Sequence, residues 1–164
     1  MASIITAKIL GVKNEVIEKT LLEFKGVEHR LEFVRELNGV KFYNDSKATN
    51  VNSVWYALQG FDEPIVLILG GRDKGNDYSE IENEVKKYVR YVIAIGESRD
   101  KVYNYFKNIL PVELAGDMTD AVKKAFSAAD RNNIVLISPA CASFDMFDNY
   151  EQRGREFKRI VNEL

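Results

Sequence analysis

Four short apolar runs constrain this chain more than any other feature: PIVLILGG at 64–71, YVIAIG at 91–96, VELAG at 112–116 and NIVLIS at 133–138. After each comes a stretch with apolar residues at helical spacing. Ile81, Val85, Tyr88 and Val89 form the first stripe, read as a helix over 78–90, and Val102, Phe106, Ile109 and Leu110 form the second. Val122, Ala125, Phe126 and Ala129 make the third, and Phe157, Ile160, Val161 and Leu164 the last. A strand apolar at successive residues has to be covered on both faces, and a repeating strand–helix order supplies the covering helices. These patterns predict a Rossmann-like three-layer α/β/α sandwich around a mainly parallel sheet. Upstream, LEFVREL and VKFYNDS alternate with period two on either side of Asn38-Gly39, so a β-hairpin is expected to form the N-terminal edge of that sheet. VNSVWYAL reads as the helix that follows it.

Residues 1–28 read differently, as two short helices joined at LGVKN, with Gly11 closing the first and Asn14 capping the second. Ile17, Leu21 and Phe24 share one face of the second helix, and two helices this small cannot bury such a face against each other alone. A boundary near FKGVEHR, at 24–30, separates this 1–28 helical segment from a domain at 29–164. The apolar start lacks a basic leader region and is interrupted by Lys8, which argues against a targeting segment, and no run reaches membrane-spanning length.

The 164 residues suit one domain with a full core. With a formal charge of −2 and both signs mixed, nothing provides the basic face that nucleic acid or an anionic membrane requires. Cys141 is the single cysteine, so no internal disulfide can form and a reducing, cytoplasmic setting is expected.

In a parallel sheet of this kind ligands bind beyond the carboxyl ends of the strands. The loops there are NDSKATN (44–50), GGRDKGND (70–77), GESRD, AGDM and SPACASFD (138–145). NDSKATN concentrates an acid, a lysine, hydroxyls and amides; Asp45 suits ribose hydroxyls and Lys47 or Thr49 an anion, while Asn44, Asp45 or Thr49 could equally cap the next helix. GGRDKGND offers Lys74 as a fixed positive charge, although Asp77 with Glu80 also resembles a capping box; it matches neither a Walker A loop nor a dinucleotide fingerprint. SPACASFDMFDNYEQRG, 138–154, leads from a strand end into a helix, a turn that aims backbone N–H groups and hydroxyls at an anion. Cys141 has no base near it in sequence and reads as a small buried thiol. Tyr150 opens the helix beside that loop, and His29-Arg30 stands at the boundary.

Together EHRLEF, NDSKATN, LILGGRDKGND and SPACASFDMFDNYEQRGREFK resemble the C-terminal domain of the Mur ligases, and within them the members that add D-glutamate. The resemblance runs from about Val27 to the end, and residues 1–28 resemble the last helices of the family's central ATPase domain. It implies an ATP-dependent acid–amino-acid ligase of peptidoglycan precursor synthesis. ATP phosphorylates the alanyl carboxylate of UDP-N-acetylmuramoyl-L-alanine, and the amine of D-glutamate then attacks the acyl phosphate. By the same resemblance Arg30, Asp45 and His29 serve ATP, and Thr49, Lys74, Ser143, the Phe144 backbone, Tyr150 and Lys47 serve D-glutamate. Family members often carry phenylalanine at the position of Tyr150. No Gly-Lys-Thr/Ser loop and no metal cluster lie in these residues, so ATP and Mg2+ are expected to bind mainly on a central domain, onto which this one docks in a monomer. A fragment of this kind is expected to be inactive alone. Two other readings remain: a stand-alone small-molecule binding module, and a relative that adds another amino acid or extends a folate with glutamate.

Overall fold

The computed structural model describes residues 2–24 and 26–164. Lys25, inside the boundary read at 24–30, lies outside the described residues. Helices α1 (Ala2–Ile9) and α2 (Asn14–Glu23) bury none of their side chains. Gly11, at φ +74°, closes the turn between them. Asn14 does not cap α2: the capping position belongs to Lys13, whose side chain accepts no helix N–H, and Asn14 is already helical.

Strands β1 (Glu32–Leu37) and β2 (Val40–Asn44) form the expected antiparallel hairpin. Asn38 and Gly39 both take positive φ, the conformation a two-residue hairpin turn with the right twist requires. The chain continues through α3 (Val51–Leu58), β3 (Ile65–Gly70), a 3₁₀ turn at Tyr78–Ile81, α4 (Glu82–Tyr88) and β4 (Val89–Ile95). Then come α5 (Arg99–Phe106), β5 (Val112–Leu114), α6 (Met118–Ala128), β6 (Ile134–Ile137) and α7 (Tyr150–Glu163). The helix read over 78–90 therefore ends at Tyr88. Val89 leaves the helical pattern because it pairs with Ile65 at the start of the β3–β4 ladder and is buried there.

The sheet order is β1-β2-β6-β3-β4-β5, parallel except for β1. Every residue of β3 and β6 is buried, as their unbroken apolar runs demand. Alternate side chains enter two separate cores. Ile65, Leu67 and Leu69 meet Val54, Leu58, Val85, Val102 and Phe106 from α3, α4 and α5. Val66 and Ile68 meet Val122, Ala125, Phe157 and Val161 from α6 and α7. Each fully buried Leu, Ile or Phe contributes about 1.5–3 kcal/mol, so both layers hold the central strands firmly.

Strand order then positions the loops. The chain steps outward from β3 to β4 to β5 and returns through α6 to insert β6 between β2 and β3. The direction of travel reverses, so a right-handed connection places α6 on the opposite face from α3, α4 and α5. The loops that follow β2, β6 and β3 thereby become neighbours at the carboxyl edge, with that of β6 in the middle.

Candidate functional site

The loop after β6 is held from both sides by its own carbonyl groups. Pro139 O accepts from Gly70 N–H at 3.0 Å, and Ala140 O from the Asn76 amide at 3.1 Å. Cys141 O accepts from Arg153 Nη1 at 3.0 Å and Ala142 O from Arg72 N–H at 2.9 Å. Ser143 O accepts the N–H groups of Met146 and Phe147 at 3.1 and 2.8 Å. Five successive carbonyls are thus consumed inside the protein. The N–H groups of Ser143 and Phe144, like those of Ala140, Cys141 and Asp145, find no acceptor among the described residues, and unpaired N–H groups in such a turn suit an anion. Ala140 adopts φ +59° to make this path, a conformation that costs a residue with a side chain on the order of 1 kcal/mol. Gly71 is required where the loops touch, because a Cβ there would stand 2.5 Å from Ala142 O.

Beside it, the loop after β2 is equally constrained. Asp45 is buried, accepts from Ser138 Oγ at 2.8 Å and from Leu31 N–H at 3.3 Å, and its own N–H donates to Ile137 O. Burial pushes its carboxyl up to about 6, against the pull of these hydrogen bonds and of the Arg30 charge. None of Asn44, Asp45 and Thr49 caps α3. Asn50 does, accepting Ser53 N–H at 2.9 Å, while Asn44 is used internally by Ser46 N–H, His29 and Glu32.

A cleft of about 420 Å³ opens between this loop, the 30–31 segment and the outer face of α3. Arg30, Asp45 and Lys47 line it together with Asn52, Ser53 and Tyr56, and Asp45 is its one acid among the described residues. Three charged groups singled out in the sequence therefore meet in one place. His29 does not face this cleft. It is 2% exposed, bonded through Nδ1 to Asn44, packed against Tyr150 and seated over Gly154. Burial lowers its pKa, which favours the neutral ring, and the side chain is engaged with Asn44, Tyr150 and the backbone of α7.

The other expected residues lie on the neighbouring loops. Thr49 is half-buried, Ser143 is buried, Phe144 is exposed, and Lys74 is exposed in the loop after β3. That loop is shaped by Asp73, which accepts from Gly75 N–H, Asn76 N–H and Lys101 Nζ. Asp77 caps the following turn by accepting Ser79 N–H, and its bonds are not with Glu80's side chain as in a capping box. Lys47 bridges the two groups of residues: it lines the cleft, and its Nζ lies 5.3 Å from the Tyr150 ring centre. Cys141 is fully buried, its thiol pushed up by burial, with the Asn76 amide 3.2 Å from Sγ; it is no nucleophile.

Glu28, His29 and Glu32 bring three ligand atoms within 4.8 Å of one another. Lys158 Nζ already sits 2.8 Å from both carboxylates and takes the place a cation would fill, so the cluster is an ion-pair network and the residues do not fit a metal ion. No helix among the described residues is long and apolar enough to cross a membrane.

Two features escape a reading of the sequence. Tyr56 and Asn52 line the cleft because they are four residues apart on one face of α3, a pattern that reads equally well as ordinary surface. Arg153 is 3% exposed. Its spacing to Phe157 and Ile160 places it in the apolar stripe of α7, which is a legible signal.

Residues 29–141 match the family described as "Mur ligase, glutamate ligase domain". The chain is 54% identical over 158 residues to UDP-N-acetylmuramoylalanine–D-glutamate ligase of Chloroherpeton thalassium, covering 96% of this chain and 34% of that protein. It is 50% identical over 165 residues to the ligase of the same name from Salinibacter ruber, covering 100% of this chain and 36% of the relative. The chain thus spans about a third of the length of these relatives. Among solved structures, UDP-N-acetylmuramate–alanine ligase MurC of Thermotoga maritima superposes with a TM-score of 0.66 at 15% identity, over 98% of this chain and 36% of that one, which is a likeness of fold.

Proposed function

The chain belongs to the Mur ligase family, in its glutamate ligase domain, and from that premise we propose that it is the amino-acid-binding domain of an ATP-dependent ligase that adds D-glutamate to UDP-N-acetylmuramoyl-L-alanine. The observation that carries the reading is the loop after β6. With five carbonyls turned inward, the Ser143 and Phe144 N–H groups are left for a carboxylate, beside the Ser143 hydroxyl. Lys74 and Thr49, on the two flanking loops, supply the cation and second hydroxyl that a dicarboxylate needs. Tyr150 and Lys47 complete this side.

The cleft beside Asp45 is the place for ATP. Asp45 would accept from ribose hydroxyls, and Arg30 would meet phosphate charge. A carboxylate is a poor acyl donor, so ATP first phosphorylates the alanyl carboxylate; the amine of D-glutamate then displaces phosphate, leaving ADP and a new amide. Mg2+, which would neutralise the phosphates, is not assigned to this chain, because the cleft contains one acid and the Glu28/Glu32 pair is occupied by Lys158. In this reading α1 and α2 are the end of a central ATPase domain onto which residues 29–164 dock, and their exposed apolar side chains, Ile9 and Leu22 among them, are covered there. The protein works as a monomer in the cytoplasm, in cell-wall precursor synthesis, and the 164-residue chain alone releases no phosphate above background.

The test is Lys74→Ala in the full-length ligase. Loss of a charged hydrogen bond of about 1.5–3 kcal/mol raises the KM for D-glutamate by roughly 10- to 150-fold and leaves that for ATP within about twofold. An unchanged KM for D-glutamate removes Lys74 from the site.

A further inference from the structure

Arg153, on the first turn of α7, is buried without an ion-pair partner among the described residues, and its three hydrogen bonds join the two loops that flank the D-glutamate side of the site. Nε donates to Ser46 Oγ at 2.9 Å, Nη2 to Ser46 O at 2.8 Å and Nη1 to Cys141 O at 3.0 Å. Ser46 Oγ passes the link on by donating to Tyr150 O at 2.8 Å. Burial draws the guanidinium down to about 10, and the acid acting on it, Asp145, is engaged with Glu97 N–H. A charge held away from water with no carboxylate in contact among the described residues is a poor device for stability, since an apolar side chain of the same shape would fill the space at lower cost. Its planar fork, however, fixes the distance and angle between two carbonyls in a way that no apolar or single-point group does.

We propose that Arg153 is a positioning residue for the amino-acid substrate. It sets the register of the loop after β2, which carries Thr49, against the loop after β6, which carries Ser143 and Phe144, so that their donors converge on one dicarboxylate. Resting on the assignment of D-glutamate to these loops, the inference adds a residue that touches neither substrate and acts through Ser46 and Cys141.

The experiment compares Arg153→Lys and Ser46→Ala with the wild type in the full-length ligase, with steady-state kinetics in both substrates. Lysine keeps the charge and loses the fork, so the D-glutamate KM rises at least about tenfold while the ATP KM stays within about twofold. Ser46→Ala removes one hydroxyl, which breaks the Nε link and the bond to Tyr150 O but keeps the Nη2 and Nη1 bonds to the two carbonyls; a rise of roughly three- to fivefold, again confined to D-glutamate, is expected, and this milder variant decides the matter if Arg153→Lys does not fold. Unchanged constants for both substrates, or equal rises in both, overturn the positioning role and leave Arg153 as packing. A wild-type ligase whose phosphate release is independent of D-glutamate refutes instead the underlying assignment of substrate, a different outcome from either.

Discussion

Replacing Asp45 by asparagine should stabilise this protein while impairing it, an inversion of what most substitutions at a buried polar position do. The carboxyl titrates at 3.8 when free and at about 6 in the fold, with burial as the dominant cause. At about 1.36 kcal/mol per tenfold change, that difference is about 3 kcal/mol in favour of the protonated form. The folded state holds this proton more tightly than the unfolded chain does. Asp45 therefore costs nothing well below pH 3.8, costs more as pH rises towards 6, and imposes a constant penalty above it. Asparagine keeps an oxygen for Leu31 N–H and presents an amide to Ser138 Oγ, which turns from donor to acceptor, so both bonds survive without the charge. Urea denaturation at about pH 4 and about pH 7 measures the outcome. The variant's advantage should be small at the lower pH and grow by about 2 kcal/mol at the higher, with other shifted groups cancelling in the difference. In the ligase, the same substitution should weaken ATP and spare D-glutamate. Identical pH dependence of the two proteins would refute the argument, because the ionised carboxylate would then carry no penalty for its burial.

Other outcomes follow from packing. Gly154→Ala improves intrinsic helix propensity by about 0.8–1 kcal/mol. Its Cβ would fall 2.2 Å from His29 Nδ1, so overpacking of about 1–3 kcal/mol should win and the unfolding midpoint in urea should fall. A rise would mean that His29 moves freely. Phe157→Ala empties the core between the sheet and α7, and should cost about 3–5 kcal/mol in the same assay; a loss below about 1 kcal/mol would contradict the packing of α7 on the sheet. Cys141 should resist iodoacetamide in the native chain at about pH 8 and react at once in urea, because the thiol is buried and its ionisation is suppressed; rapid native labelling would contradict its placement.

Much of this protein is legible in its residues taken in order. Periodicity alone separates β3, β4 and β6 from the helices that cover them, because a strand buried on both faces and a helix buried on one stripe leave different marks along the chain. Asn38-Gly39 predicts its own turn. Chemical content singles out Asp45, Lys47, Lys74 and Ser143, since no ordinary turn needs so many polar groups. Errors cluster at element ends. Val89 follows a helical stripe yet belongs to β4, where pairing with Ile65 outweighs the local preference. Asn50, not Asn44 or Thr49, caps α3, because Asn44 is already committed to His29 and Glu32.

Tertiary structure decides what these pieces mean together. Sequence order places the loop after β6 last and far from NDSKATN, but the return through α6 inserts β6 between β2 and β3 and brings the three polar loops into one row. Burial, too, is settled only once the chain is packed. Asp45 is an ordinary acid by residue type and titrates near 6 in place, His29 is a boundary residue that becomes a buried framework group, and Arg153 sits inside an apolar stripe with three hydrogen bonds and no counter-ion among the described residues. Residue type carries the chemistry a site can perform; desolvation and strand order, which depend on contacts between segments as distant in sequence as Ser46 and Arg153, determine where that chemistry converges and in which charge state it waits.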